Sequence, residues 1–167
     1  MHAIPWPIPH ISLLTDAQLD ALRREEKRKA SSTRKKEKLG HVERQYELAS
    51  LNEEARRYRL FIRHSASNPD VFSVGLCLMQ NEVDLILCRY NSGHHGHKNI
   101  LEKEKIPAVC HQHIATARYI AEGLDIVGYA IARPDYTTVK GALAFLVEEC
   151  NIVGVINPTL QIPLLPR

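Results

Sequence analysis

Hydrophobic positions along the chain change their period after the first third. In TDAQLDALRR, Leu19 and Leu22 stand three apart behind Thr15 and Asp16, either of which suits a helix cap, and this spacing predicts an amphipathic helix. Past Leu22 the apolar stripe ends while charged residues continue, so the helix is expected to run on toward Lys38 as a basic face, with Gly40 as its stop. From Gln45 the period becomes two. RYRLFIRHS alternates Tyr58, Leu60 and Ile62 with Arg59, Phe61 and Arg63, and VFSVGLCLM alternates Phe72, Val74, Leu76 and Leu78 with smaller residues. The turn-rich NPD at 68–70 and QNEVD at 80–84 make these two segments and VDLILCRY an antiparallel meander. YELAS at 46–50 reads as an added edge strand.

The later segments mix both periods. KIPAVCHQH offers a short strand, and HIATARYIAEGL reads as a helix with Ile114, Ala117, Tyr119 and Ile120 inward. IVGYAIA reads as a buried strand, and TTVKGALAFLVEEC as a helix capped by Asp135 or Thr137, with Val139, Leu143 and Leu146 on one side. Pro5, Pro7 and Pro9 make the first ten residues an extended arm, and NPTLQIPLLPR is an apolar, Pro-punctuated tail. The expected fold is α+β: a basic N-terminal helix, an antiparallel β meander, and C-terminal helices packed on the sheet. Its divisions are an arm and basic helix over 1–40, one α+β domain over 41–157, and a Pro-rich tail over 158–167.

Composition narrows the setting. An apolar share of 44% with 25% charged residues is ordinary for a globular chain and argues against wholesale disorder. No apolar run approaches the roughly 20 residues of a spanning helix, and MHAIPWPIPHISLL lacks the basic start of an export signal, so no membrane partner and a cytoplasmic location are expected. Cys77, Cys88, Cys110 and Cys150 are scattered, which fits reduced thiols. The net charge of +3 is unevenly placed: Arg23 to Lys38 holds nine basic and three acidic residues, hence +6, and the remainder sums to −3. Within that run Arg34, Lys35, Lys36 and Lys38 are candidates to hold RNA phosphates. The N-terminal helix and the apolar tail are alternative surfaces for a protein partner or a second copy of the chain.

Chemistry concentrates in NSGHHGHKN, residues 91–99, and in CHQH, residues 110–113. The stretch LCRYNSGHHGHKN followed by CHQHIATARYIAEG resembles the R-x-N-G…H-x-N…H-x-H pattern of small prokaryotic proteins, some carried by mobile elements and toxin-like. The likeness spans roughly Phe61 to Leu124 and falls on Arg89, Asn91, Gly93, His97, Asn99, His111 and His113, with Ser92 inserted between the asparagine and the glycine. It implies a toxin-like role but supplies no activity. A basic helix ahead of an antiparallel meander is also similar, at the level of fold alone, to ribonuclease toxins of the RelE type.

Residue types supply three readings. His111 and His113 are two apart, so in a strand both imidazoles face one side while Cys110 and Gln112 face the other. With His97 they form an acid–base set, and Arg89 supplies a fork for phosphate oxygens; the expected activity is a metal-independent endoribonuclease. Asn91, Lys98 and Asn99 join the substrate-binding candidates, and no cofactor is required. The second reading uses His94, His97, His111 and His113 as ligands for a divalent transition metal such as zinc. The third is a non-catalytic binding module, such as an antitoxin or a phage inhibitor of host defence, in which the histidines only support the fold.

Overall fold

The computed structural model describes residues 4–31, 34–80 and 83–155. Helix α1 (Asp16–Arg24) starts at Thr15, whose Oγ1 accepts from the Gln18 amide at 3.2 Å while its own amide donates to Gln18 Oε1 at 3.0 Å. This reciprocal pair satisfies two amides that the helix leaves free. Leu19 and Leu22 are wholly buried, each worth roughly 1.5–3 kcal/mol on leaving water.

The helix then ends well short of Lys38. Lys27–Lys29 form strand β1 and Arg34–Lys38 form strand β2, so the expected basic helix is corrected to a short helix followed by two basic strands. Two side chains account for the break. Glu25 turns inward, where its carboxylate accepts from Arg56 at 2.7 Å and from the Tyr58 hydroxyl. Lys27 has no exposed surface, and its Nζ donates to the carbonyls of Arg23, Glu25 and Cys150 at 2.8, 2.7 and 3.2 Å. These bonds close the end of α1, and they require the chain to leave the helix at Glu25. β2 and β3 (His41–Ser50) then pair antiparallel around Leu39 and Gly40, with Gly40 at φ +77°, a conformation that glycine adopts at little cost. Because β1 and β2 both pair with β3, one sheet takes strands from both sides of residue 40.

The meander is as expected. β4 (Arg57–Ser65), β5 (Phe72–Gln80) and β6 (Val83–Asn91) are consecutive antiparallel neighbours. Asn68 closes the first turn, its Oδ1 taking the Asp70 amide at 3.0 Å; residues 81 and 82 of the second lie outside the described residues. With β9 (His111–Ile114), β10 (Tyr129–Ala132) and β11 (Ile152–Val153), the sheet order is β10-β9-β6-β5-β4-β3-β1-β11, and only the β1–β11 pairing is parallel. YELAS therefore lies between β4 and β1 rather than at an edge, and IVGYAIA supplies the terminal strand. β7 (His97–Asn99) and β8 (Glu104–Ile106) form a separate two-stranded unit. Ile114 stays in β9, which leaves helix α2 (Ala117–Ala121) only five residues, with Tyr119 buried. Helix α3 (Val139–Glu149) is capped by Thr138, whose Oγ1 accepts from the Gly141 amide at 3.1 Å, while Asp135 is held by Arg133 at 2.8 Å.

Register sorts the sheet into two faces. One carries Leu48, Tyr58, Leu60, Val74, Leu76 and Tyr90, all buried, and is covered by α1 and α3. The other carries two rows of cross-strand partners that include most of the chemistry. One row runs Lys36, Glu43, Arg63, Ser73, Asn91, His111; the next runs Gln45, Phe61, Gly75, Arg89, His113. At the N-terminus, Ile8 is docked by Gln80, which accepts from the Ile8 amide at 3.0 Å and donates to its carbonyl at 2.6 Å. The Pro-rich tail over 158–167 lies outside the described residues. Among the described residues no helix is long and apolar enough to cross a membrane.

Candidate active site

The site is built where β6, β9 and the β7–β8 unit meet. β7 reaches the sheet through side chains. Asn99, with no exposed surface, donates from Nδ2 to the Ala130 carbonyl at 2.8 Å and accepts the Ala130 amide on Oδ1 at 2.8 Å, completing the free edge of β10 as a neighbouring strand would. Two residues earlier, on the same side of β7, His97 donates from Nε2 to the Gly128 carbonyl at 2.7 Å. The H-x-N spacing is therefore a docking device, and Asn99 is a structural residue rather than a substrate ligand.

This docking brings three imidazoles together. The His97 ring lies 4.6 Å from that of His113 and 6.0 Å from that of His111, and the latter two are 5.0 Å apart between centroids. His111 donates from Nδ1 to the Val109 carbonyl at 2.8 Å, and His113 from Nδ1 to the Val127 carbonyl at 2.7 Å. A carbonyl oxygen only accepts, so each bond fixes one ring proton. In the neutral rings the free lone pairs are then on Nδ1 of His97 and on Nε2 of His111 and His113. Burial, reinforced by the nearby charge of Arg89, pushes His113 down to about 3, and burial lowers His111 as well. Both are neutral bases at physiological pH.

Arg89 sits beside His113 in the strand register. It is half-buried and burial lowers its pKa, it has no ion-pair partner among the described residues, and its Nε is buried without a hydrogen bond. The cavity it faces, of about 390 Å³, is lined by seven of the chain's nine histidines (His41, His64, His94, His95, His97, His111 and His113) together with Arg63, Arg89, Asn91 and Ser73. Among the described residues no carboxylate lines it. The nearest acid in the polar row, Glu43, is held by Arg63 at 2.6 Å. His64 Nε2 is a second buried polar atom with no partner. The Arg89 guanidinium, with an unpartnered buried Nε–H, is the donor in this lining that suits an anion of phosphate type, while the free imidazole nitrogens are lone pairs until they are protonated.

The loop over the cavity is held tightly. A Cβ on Gly93 would lie 2.9 Å from the Val109 backbone, and one on Gly96 would lie 2.9 Å from the Ile106 carbonyl, so neither position accepts a larger residue without moving the backbone. His94 and His95 remain exposed at the mouth, with ring centroids 4.2 Å apart.

Of the sequence-derived candidates, the fold brings together Arg89, Asn91, His97, His111 and His113. Lys98 does not join them: alternation turns it to the opposite side of β7, where it is exposed across from Lys105. Lys36 and Lys38 are exposed on the polar face of the hairpin beside His41, while Lys35 is paired with Glu37 at 2.6 Å. The side chain of Arg34 lies outside the described residues. Sequence reading passed over His41, Arg63 and His64, whose alternation was visible but whose neighbours are set by the β3–β4–β5 register. The metal alternative gathers His97, His111 and His113 and leaves His94 exposed at the mouth; among the described residues no group of three or more His, Cys, Asp or Glu side chains is arranged to hold a metal ion. The four cysteines form no disulfide, and the Cys88 and Cys150 thiols share a hydrogen bond at 3.6 Å. No protein-family model, no curated protein and no solved structure matches the chain.

Proposed function

We propose that the protein cleaves RNA at a phosphodiester held in this cavity, by histidine acid–base chemistry. The observation that carries the reading is Arg89, a half-buried guanidinium with no ion-pair partner among the described residues and chiefly the field of Asp125 opposing its burial, set against three oriented imidazoles in a cavity whose described lining holds no carboxylate. A charge in that position costs stability unless a ligand completes it. A phosphodiester supplies both the counter-charge and the acceptors.

In the reaction, His113 Nε2 takes the proton of the 2′-hydroxyl as its oxygen attacks phosphorus. The bond to the 5′ oxygen breaks, and that oxygen takes a proton from Nδ1 of a protonated His97, whose Nε2–H stays on the Gly128 carbonyl. A 2′,3′-cyclic phosphate and a free 5′-hydroxyl result, with no water consumed. Arg89 stabilises the charge gathered on the phosphoryl oxygens, and binding of the anion beside His113 offsets the cationic field that adds to burial in lowering its basicity.

The test is cleavage of a labelled RNA oligonucleotide by the full chain, with and without chelator, with the product ends analysed. Chelator-resistant cleavage giving cyclic phosphate is expected, and a 2′-deoxy residue at the scissile position should resist. No cleavage under any metal condition, or activity abolished by chelator and restored by one metal, would overturn the proposal; the second outcome would return the imidazole trio to the metal reading.

A further inference from the structure

Resting on the reading of the cavity as a phosphodiester site, we infer that its substrate is unpaired RNA, gripped at both ends of the polar face: one base stacks on a ring of the edge-to-face His94–His95 pair at the mouth, and the backbone follows Lys36 and Lys38. Neither His94 nor His95 makes a hydrogen bond among the described residues, and both are exposed. An aromatic pair is left free on a loop whose glycines hold it close to the 106–110 backbone, so the rings are presented on a firm support. Flat rings at the mouth of a phosphate-sized cavity are what a splayed base stacks on.

The opposite end supplies charge. Lys38 lies across from His41, which lines the cavity, and Lys36 across from Glu43. Both lysines are exposed, and neither has a salt bridge among the described residues, unlike Lys35. Four strand steps separate β3 from β9, roughly 19 Å at ordinary strand spacing, which an extended strand of several nucleotides spans. A cavity of about 390 Å³ accepts a phosphate with an adjoining nucleoside, whereas a duplex would have to unpair to enter it.

The experiment measures binding on the full chain carrying His113→Ala, so that capture and cleavage are read separately. Fluorescence anisotropy would compare a labelled single-stranded RNA decamer with the same sequence as a duplex. The single strand should bind at least tenfold tighter. Adding His94→Ala with His95→Ala should weaken it roughly tenfold, and His94→Phe with His95→Phe should restore it, since stacking needs a ring but no ring nitrogen. Lys36→Ala with Lys38→Ala should reduce the log–log salt slope by about 1.4, the release expected for two contacts to a single strand. Equal affinity for the duplex, an unaffected alanine pair, a phenylalanine pair that fails to restore binding, or an unchanged salt slope would each overturn the assignment. Absence of cleavage by the wild-type chain would instead sink the reading of the cavity and leave the binding result standing.

Discussion

Buried ionisable side chains occur in two groups on opposite faces of one sheet, and they are partnered differently. On the helix side, the Arg56 and Glu25 side chains, 5% and 6% exposed, face each other at 2.7 Å; Tyr58 donates to the same carboxylate, and Lys27 has three carbonyls and the Tyr58 ring, 4.6 Å away. Arg56 Nε lacks a partner there, but the guanidinium is paired with Glu25 and the Lys27 ammonium is fully occupied by carbonyls. On the polar face, Arg89 has no ion-pair partner among the described residues, chiefly the field of Asp125 opposing its burial, and no bond for its Nε, and three imidazoles keep a free lone pair. A buried charge with its counter-charge supports the fold. One that lacks both an ion-pair partner and hydrogen-bond acceptors, as Arg89 does among the described residues, is tolerated where a ligand completes it, so the two groups divide into structure and site.

The largest effects should follow from removing the imidazoles. His97→Ala or His113→Ala should lower RNA cleavage by about 10²–10⁴-fold, the usual contribution of a positioned acid or base, while circular dichroism and RNA affinity stay near wild type. Lys98→Ala, on the far side of β7, should change cleavage little. Wild-type rates in both histidine variants would remove the polar face from the chemistry. Next in size is the balanced group: Glu25→Ala strands the Arg56 guanidinium inside the protein and should cost about 3–5 kcal/mol in urea unfolding, with cleavage per folded molecule unchanged. Loss of activity without loss of stability would blur the division between the groups.

The same division explains what the sequence could reveal. The strands β4 and β5 were legible because a half-buried strand repeats every two residues, and the H-x-H pair placed His111 and His113 on one face for the same reason. The helix end at Arg24 was not legible. The partners that pull Glu25 and Lys27 inward, Arg56, Tyr58 and the Cys150 carbonyl, lie far along the chain, and charged residues without visible partners read as a solvated face. Within the site, Asn99 was assigned to substrate because its partner, the backbone of β10, is thirty-one residues away. His41 and Arg63 entered the cavity through a register that no local motif records.

A smaller effect concerns pH. Burial and the Arg89 charge hold His113 down at about 3 in the native state, against an ordinary 6.5, so below about 6.5 the unfolded chain gains a proton that the native state does not. Stability present above pH 6.5 is therefore lost progressively as pH falls toward 3, to the extent of a few kcal/mol by order of magnitude. His113→Asn removes this titration, and its unfolding free energy should fall less steeply than wild type between pH 6.5 and 4.5. Parallel curves would show that His113 titrates normally and is not held neutral by burial and Arg89.

The smallest stability effect should come from Arg89 itself, and it is the one that most sharply separates the two groups. If Arg89 supported the fold as Arg56 does, Arg89→Met would cost several kcal/mol, because its partners would lose their counter-charge. No salt bridge among the described residues depends on it, so replacing it with an apolar side chain of similar length should change stability by between zero and about 1 kcal/mol, in the stabilising direction. The ligand response should change instead. Inorganic phosphate at ten times its Kd would stabilise the wild-type chain by about 1.4 kcal/mol through mass action, and the methionine variant should lose most of that gain. Its RNA cleavage should fall together with the phosphate response. A loss of more than about 2 kcal/mol on Arg89→Met, or an undiminished response to phosphate, would mean that Arg89 belongs with the structural group and that the cavity holds its anion by other residues.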